Sequence, residues 1–193
     1  DATYDIAHGA AKRPTHWNTA YDLTRFEVAA HKWADLSEGG YGCSIINDCK
    51  YGFSADENVV GLTLLKSAIS PHPNADKGTH EFTYSLYPHS GGPMQGGTVR
   101  AAYNLNNKML VKKLGKQNGS LKNEYSFIQC DCDNVILETV KKAEDGSGTI
   151  LRLYDAGNMS KNVTLHFAEN ITAAYECDML ENEQSTIDVA DNS

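Results

Sequence analysis

The sequence predicts a mainly β protein, organised as two antiparallel units with little helix. Three observations carry this reading. Short alternating runs recur along the chain and are broken by Gly, Asn, Asp and Pro. A turn-rich stretch, Ser90-Gly91-Gly92-Pro93-Met94-Gln95-Gly96-Gly97, and a second polar gap at Lys116–Asn123 separate these runs into two sets. The 193 residues are 40% hydrophobic and 22% charged, ordinary globular usage, and suffice for one large domain or two small ones.

Before residue 90, three segments are expected to be strands. Arg25-Phe26-Glu27-Val28-Ala29 alternates polar and apolar, the period of a half-buried strand. Val59–Leu65 is an apolar, β-branched run suited to a strand buried on both sides. Glu81–Tyr87 alternates strictly and is expected to stop at Pro88, which has no amide hydrogen to donate. Near-helical spacing of Val99, Ala102, Tyr103 and Leu105 predicts one short helix over Thr98–Asn107. In the second half, Tyr125–Gln129, Val135–Lys142, Thr149–Tyr154, Val163–Phe167 and Ile171–Cys177 are expected strands. Asp145-Gly146-Ser147-Gly148 is the expected hairpin between two of them. The boundary between the units falls between Ser90 and Asn123.

The formal net charge is −8, and Lys112–Lys113 and Lys141–Lys142 are the longest basic runs. Such a surface repels phosphate backbones and anionic lipid heads, so no nucleic acid or membrane partner is expected. No apolar run approaches the roughly 18–20 residues of a membrane span. Asp1–Asp5 lacks the basic and apolar parts of a signal peptide, and the chain reads as a fragment of a longer polypeptide. The five cysteines, an odd and sparse set, are expected to be free thiols in a reducing compartment.

No nucleophile elbow, phosphate loop or paired zinc-ligand pattern occurs, and the seven histidines are scattered. The densest concentration of chemistry is His31-Lys32-Trp33-Ala34-Asp35-Leu36-Ser37-Glu38-Gly39-Gly40-Tyr41-Gly42. On residue types alone it reads as a turn, with Asp35 or Ser37 capping backbone donors and Trp33 and Tyr41 half-buried. The same residues are equipped to hold a sugar. Asp35 and Glu38 accept hydrogen bonds from hydroxyls, and Trp33 and Tyr41 offer ring faces to C–H groups. These four are the candidate substrate-binding residues.

Arg25-Phe26-Glu27-Val28, His31–Glu38, Gly40-Tyr41-Gly42 and Asn47-Asp48-Cys49-Lys50-Tyr51-Gly52 together closely resemble the C-terminal region of cytosolic-type and bacterial α-mannosidases of glycoside hydrolase family 38. Gly78–Tyr84 with Leu86-Tyr87-Pro88-His89 is similar to the same region. Asn134-Val135, Lys142–Gly146 and Leu151–Tyr154 resemble the family's last β domain. The resemblance runs from about residue 12 to 183.

The resemblance implies the end of an antiparallel β-sandwich of galactose-mutarotase type over 1–95, a helix and linker over 96–123, and a smaller C-terminal β-sandwich over 124–193. The last is expected to be incomplete, because relatives continue past the equivalent of Asp191-Asn192-Ser193 into a closing strand. It further implies an enzyme that removes terminal α-mannosyl residues from oligosaccharides with retention. Its zinc ion and Asp nucleophile sit in an N-terminal barrel of the same polypeptide, so this chain is expected to hold no catalytic residue, metal or other cofactor of its own. The loop Trp33–Gly42 is expected to reach that barrel's active site. The alternative is an autonomous carbohydrate-binding or adhesion sandwich.

Overall fold

The computed structural model describes residues 1–120 and 122–190. The chain divides into two compact units, Asp1–Val111 and Lys112–Ser193. The helix expected near residue 100 thus belongs to the first unit. The expected incompleteness at Asp191–Ser193 lies outside the described residues.

In chain order the first unit contains β1 (Ala2–Ile6), β2 (Gly9–Arg13), a one-turn helix α1 (Ala20–Leu23), β3 (Val28–Ala29), β4 (Trp33–Glu38), β5 (Tyr41–Asn47), β6 (Gly52–Asp56), β7 (Val59–Thr63), β8 (Tyr84–Ser90) and helix α2 (Thr98–Asn106). Its strands form two antiparallel sheets, one in the order β2-β1-β4-β5-β8 and the other in the order β3-β6-β7. Ala2, Tyr4 and Ala34 of the larger sheet bury their side chains with Phe53 and Ala55 of the smaller one, and Ala30 joins them. Val28, Leu36, Ile45, Val60 and Leu62 close the rim of this core. Tyr4 meets Phe53 edge to face with ring centroids 6.4 Å apart, a favoured aromatic geometry.

Period two explains how β4 serves both sides of its sheet. Ala34 and Leu36 point into the sandwich core, while Trp33, Asp35 and Ser37 point to the opposite face. Helix α2 packs over that opposite face against β5 and β4, burying Thr98, Val99 and Ala102. Asn106 Nδ2 donates to the Asn47 carbonyl at 3.1 Å, pinning the end of the helix to the end of β5.

Four expectations are corrected by the structure. Of Arg25–Ala29, only Val28–Ala29 is strand. Arg25 lies over the Tyr21 ring at 4.1 Å, and Glu27 accepts from Thr63 and Lys66, so side-chain tethers displace ladder pairing there. β7 is not buried on both sides. It ends at Thr63 on the edge of its sheet, and Val59 is exposed. β8 starts at Tyr84 and runs through Pro88 instead of stopping before it. It is an edge strand pairing only with β5 among the described residues, so the missing amide hydrogen of Pro88 removes no second ladder bond. Finally, Trp33–Gly42 is a β-hairpin, not a loop.

The second unit contains β9 (Ile128–Cys130), β10 (Val135–Lys142), β11 (Thr149–Asp155), β12 (Leu165–Phe167), β13 (Ala174–Cys177) and β14 (Glu183–Ile187). They pair antiparallel as β10-β11, β9-β12 and β13-β14. The turn Asp145–Gly148 joins β10 to β11, and Gly146 supplies its positive φ of 79°. The Asn134 side chain is buried and donates to Asp155 at 2.8 Å, which fixes the far end of the same ribbon. All five cysteines are free.

Residues 107–120 carry no regular structure, and Met109, Leu110 and Val111 are almost fully exposed. The other long irregular stretch, 64–83, is tied down: Asp76 accepts from the Ser67 amide at 2.9 Å and Asp48 from the Thr83 amide at 2.9 Å. Limited trypsin digestion is therefore expected to cut first among Lys108, Lys112, Lys113 and Lys116; early cleavage within 64–83 would contradict this. Phe53→Ala is expected to lower stability by about 3–5 kcal/mol, measured by denaturant unfolding, because Phe53 is fully buried at the centre of the sandwich.

Candidate functional site

The hairpin of β4 and β5 turns through Gly39 and Gly40, whose φ values of 59° and 89° match a type I′ turn. Most residues resist this backbone, which explains the glycine pair. Glu38 and Tyr41 are directly opposite each other across the turn. Both are exposed, Tyr41 by 68%.

The four predicted site residues do not converge. Glu38 and Tyr41 lie at the hairpin tip, on the face shared with Leu36. Asp35 and Trp33 lie on the opposite face beneath α2, 1% and 2% exposed. A substrate cannot touch all four, because odd and even positions of one strand point apart.

Asp35 is the centre of a buried polar network. Its Oδ1 accepts from the Ser37 hydroxyl on its own strand. Its Oδ2 accepts from the Ser44 hydroxyl of β5 at 2.7 Å and from His89 Nε2 of β8 at 2.7 Å. A carboxylate only accepts, so His89 carries a hydrogen on Nε2. Ser44 spends its single hydrogen on Asp35, and therefore accepts from the Thr98 hydroxyl at 2.7 Å. Thr98 is the first residue of α2, so the chain of bonds runs from the helix to the carboxylate. The side chains of Asp35 and His89 are 1% and 2% exposed.

Two glycines make room for the imidazole. A Cβ on Gly42 would fall 2.8 Å from His89 Cε1, and one on Gly96 would fall 2.3 Å from His89 Nδ1. Tyr87, two residues before His89, donates its hydroxyl to the Gly96 carbonyl at 2.9 Å and so holds the Gly96 segment against β8. In the sequence these glycines have the look of turn residues, and no local pattern marks His89. Their purpose becomes visible only when the register sets Gly42 opposite His89.

Ser44, His89 and Asp35 are the residue types of a hydrolase triad, but they are wired differently. In a triad the histidine bridges serine and carboxylate; here the serine donates directly to the carboxylate. Ser44 has no exposed surface, which closes it to any substrate. The other buried carboxylate of the unit, Asp5, accepts from the Lys32 amide at 2.9 Å. Burial raises its pKa above the usual carboxylate value, and this bond opposes the rise. Among the described residues, no three His, Cys, Asp or Glu side chains are grouped to hold a metal ion. No helix of the described residues is long and apolar enough to cross a membrane.

The chain matches the glycosyl hydrolases family 38 C-terminal domain over residues 1–74 and the family 38 C-terminal beta sandwich domain over residues 134–193. It is 42% identical over 183 residues to alpha-mannosidase 2C1 of Homo sapiens, covering 93% of this chain and 17% of that protein. It is 39% identical over 187 residues to alpha-mannosidase G of Dictyostelium discoideum, covering 94% of this chain and 17% of that protein. With the alpha-mannosidase of Saccharomyces cerevisiae it shares 45% identity over 146 residues, 76% of this chain and 13% of the relative. The chain thus spans about a sixth of the length of these relatives. Two matched family 38 domains, with mannosidase relatives over nearly the whole chain, make it a C-terminal region of glycosyl hydrolase family 38.

Proposed function

We propose that this chain is the non-catalytic C-terminal part of an α-mannosidase that removes terminal α-mannosyl residues from oligosaccharides, and that the hairpin tip Glu38–Tyr41 helps hold the substrate. The observation that carries this reading is the family match along both units of the chain. A retaining glycosidase needs a carboxylate nucleophile and an acid/base about 5–5.5 Å apart. These groups, and the zinc ion that supplies Lewis-acid chemistry in this class, are assigned to the catalytic barrel of the same polypeptide. This chain packs against that barrel. The five free thiols fit a cytoplasmic setting.

The packing surface has a physical candidate. Tyr84 and Leu86 of β8 point to the same face as Ile45, yet are 53% and 67% exposed, because the smaller sheet does not extend over them. Apolar side chains on the core-facing side of a sheet are covered in a finished structure. The hairpin tip carries what sugar binding requires: a carboxylate to accept from hydroxyls and an aromatic ring, on a stiff two-stranded support.

Two measurements test the reading. The purified chain, with zinc added, is expected to show no turnover of an aryl α-mannoside above a mock preparation. In the intact α-mannosidase, Glu38→Gln is expected to lower kcat/KM roughly ten- to hundredfold with an unchanged melting temperature, the effect of losing one charge-assisted hydrogen bond of about 1.5–3 kcal/mol. Wild-type kinetics in both Glu38→Gln and Tyr41→Ala would remove the tip from the substrate site.

A further inference from the structure

We propose that Asp35 and His89 are positioning residues: without touching substrate, their buried pair fixes where the hairpin tip presents Glu38 and Tyr41. The consequence for catalysis rests on the tip's proposed role, while the positioning itself is testable in this chain alone.

The network lies directly below the tip. Glu38 is three strand residues from Asp35, about 10 Å. Tyr41 is three residues from Ser44, and Gly91 is two beyond His89. The three segments that meet at the tip are therefore each tied to the same carboxylate. Asp35 is itself part of β4, Ser44 ties β5, and His89 ties β8. Ser37, between Asp35 and the turn, adds a third donor to the carboxylate. Beyond the network, the Gly91 amide donates to the Gly40 carbonyl at 2.6 Å, joining the end of β8 to the turn itself.

The chemistry argues for geometry over stability. Apolar residues on this face, beside Trp33 and under Val99 and Ala102, would cover it at no desolvation cost. A buried hydrogen-bonded polar pair often adds no net stability over well-packed apolar groups, and its best-attested use is to fix register. Here the register at stake is that of three strands. A slip of β8 by one residue would take His89 to the other face and leave Asp35 without its Nε2 donor. The two glycines that accommodate the ring, Gly42 and Gly96, serve that one placement.

The test uses three variants of the 193-residue chain: Asp35→Asn, His89→Gln and Gly96→Ala. The last removes no polar group and wedges a methyl against the imidazole. Amide hydrogen exchange is expected to accelerate roughly tenfold or more at Gly91 and at the tip in each variant, with β1 and β6 as protected as in the wild type. Unchanged exchange at Gly91 would overturn the proposal. So would equal loss of protection at the tip and throughout β1 and β6, which would make the pair a global stabiliser. In the intact α-mannosidase, His89→Gln is expected to lower kcat/KM when Glu38 is present and to add little in a Glu38→Gln background. Independent, multiplying effects would also overturn it. If Glu38→Gln and Tyr41→Ala leave kinetics unchanged while exchange at Gly91 accelerates, the tip's catalytic reading fails and the positioning stands.

Discussion

A single carboxylate organises the first unit. Asp35 sits in the middle of the larger sheet with essentially no exposed surface, and a buried carboxylate is tolerable only where donors surround it. Those donors come from its own strand, from β5, from β8, and through Ser44 from the first residue of α2. Much else follows from this requirement. Gly42 and Gly96 are small because the imidazole needs the space, and Thr98 opens the helix because its hydroxyl ends the chain of bonds. The strand β8 continues past Pro88 because His89 must stay in register with Gly42.

The opposite face of the same sheet obeys a different rule. There Ala2, Tyr4 and Ala34 meet Phe53 and Ala55 in an apolar core. β4 therefore works as a partition, with dispersion and the hydrophobic effect on one side and hydrogen bonds on the other. At Glu38 the strand leaves both environments, since neither the small sheet nor α2 covers the tip. Exposure of Glu38 and Tyr41 is thus a consequence of how far the hairpin projects, and the stiffness beneath them comes from the two faces it has just left. A support of this kind suits a group that must meet a ligand at a set place.

The chain is a family 38 C-terminal region spanning about a sixth of the length of its human and Dictyostelium relatives. The face of β5 and β8 that carries Tyr84 and Leu86 has the chemistry of a core without the cover of one.

Much of the fold was legible in the sequence because it depends on local pattern. Alternation in Val135–Lys142 and Thr149–Asp155, with Asp145–Gly148 between them, marks a hairpin whatever surrounds it. The spacing of Val99 and Ala102 likewise marks a buried helical face. Alternating runs broken by turn residues marked the mainly β class, and the segments from Arg25 to Gly52, Gly78 to His89 and Asn134 to Tyr154 carried the family resemblance. Strand limits at Arg25–Glu27, Thr63 and Pro88 were not legible, because side-chain tethers and edge positions set them. Nor was the site. Trp33, Asp35, Glu38 and Tyr41 are neighbours in the sequence, but the two-residue period of a strand sends them to opposite faces. His89 is 54 residues from Asp35, and no local signal links them. Sequence supplied the groups; only the register of three strands decided which would be buried together and which would be left at the tip, because hydrogen bonds at 2.7 Å require positions that pairing alone creates.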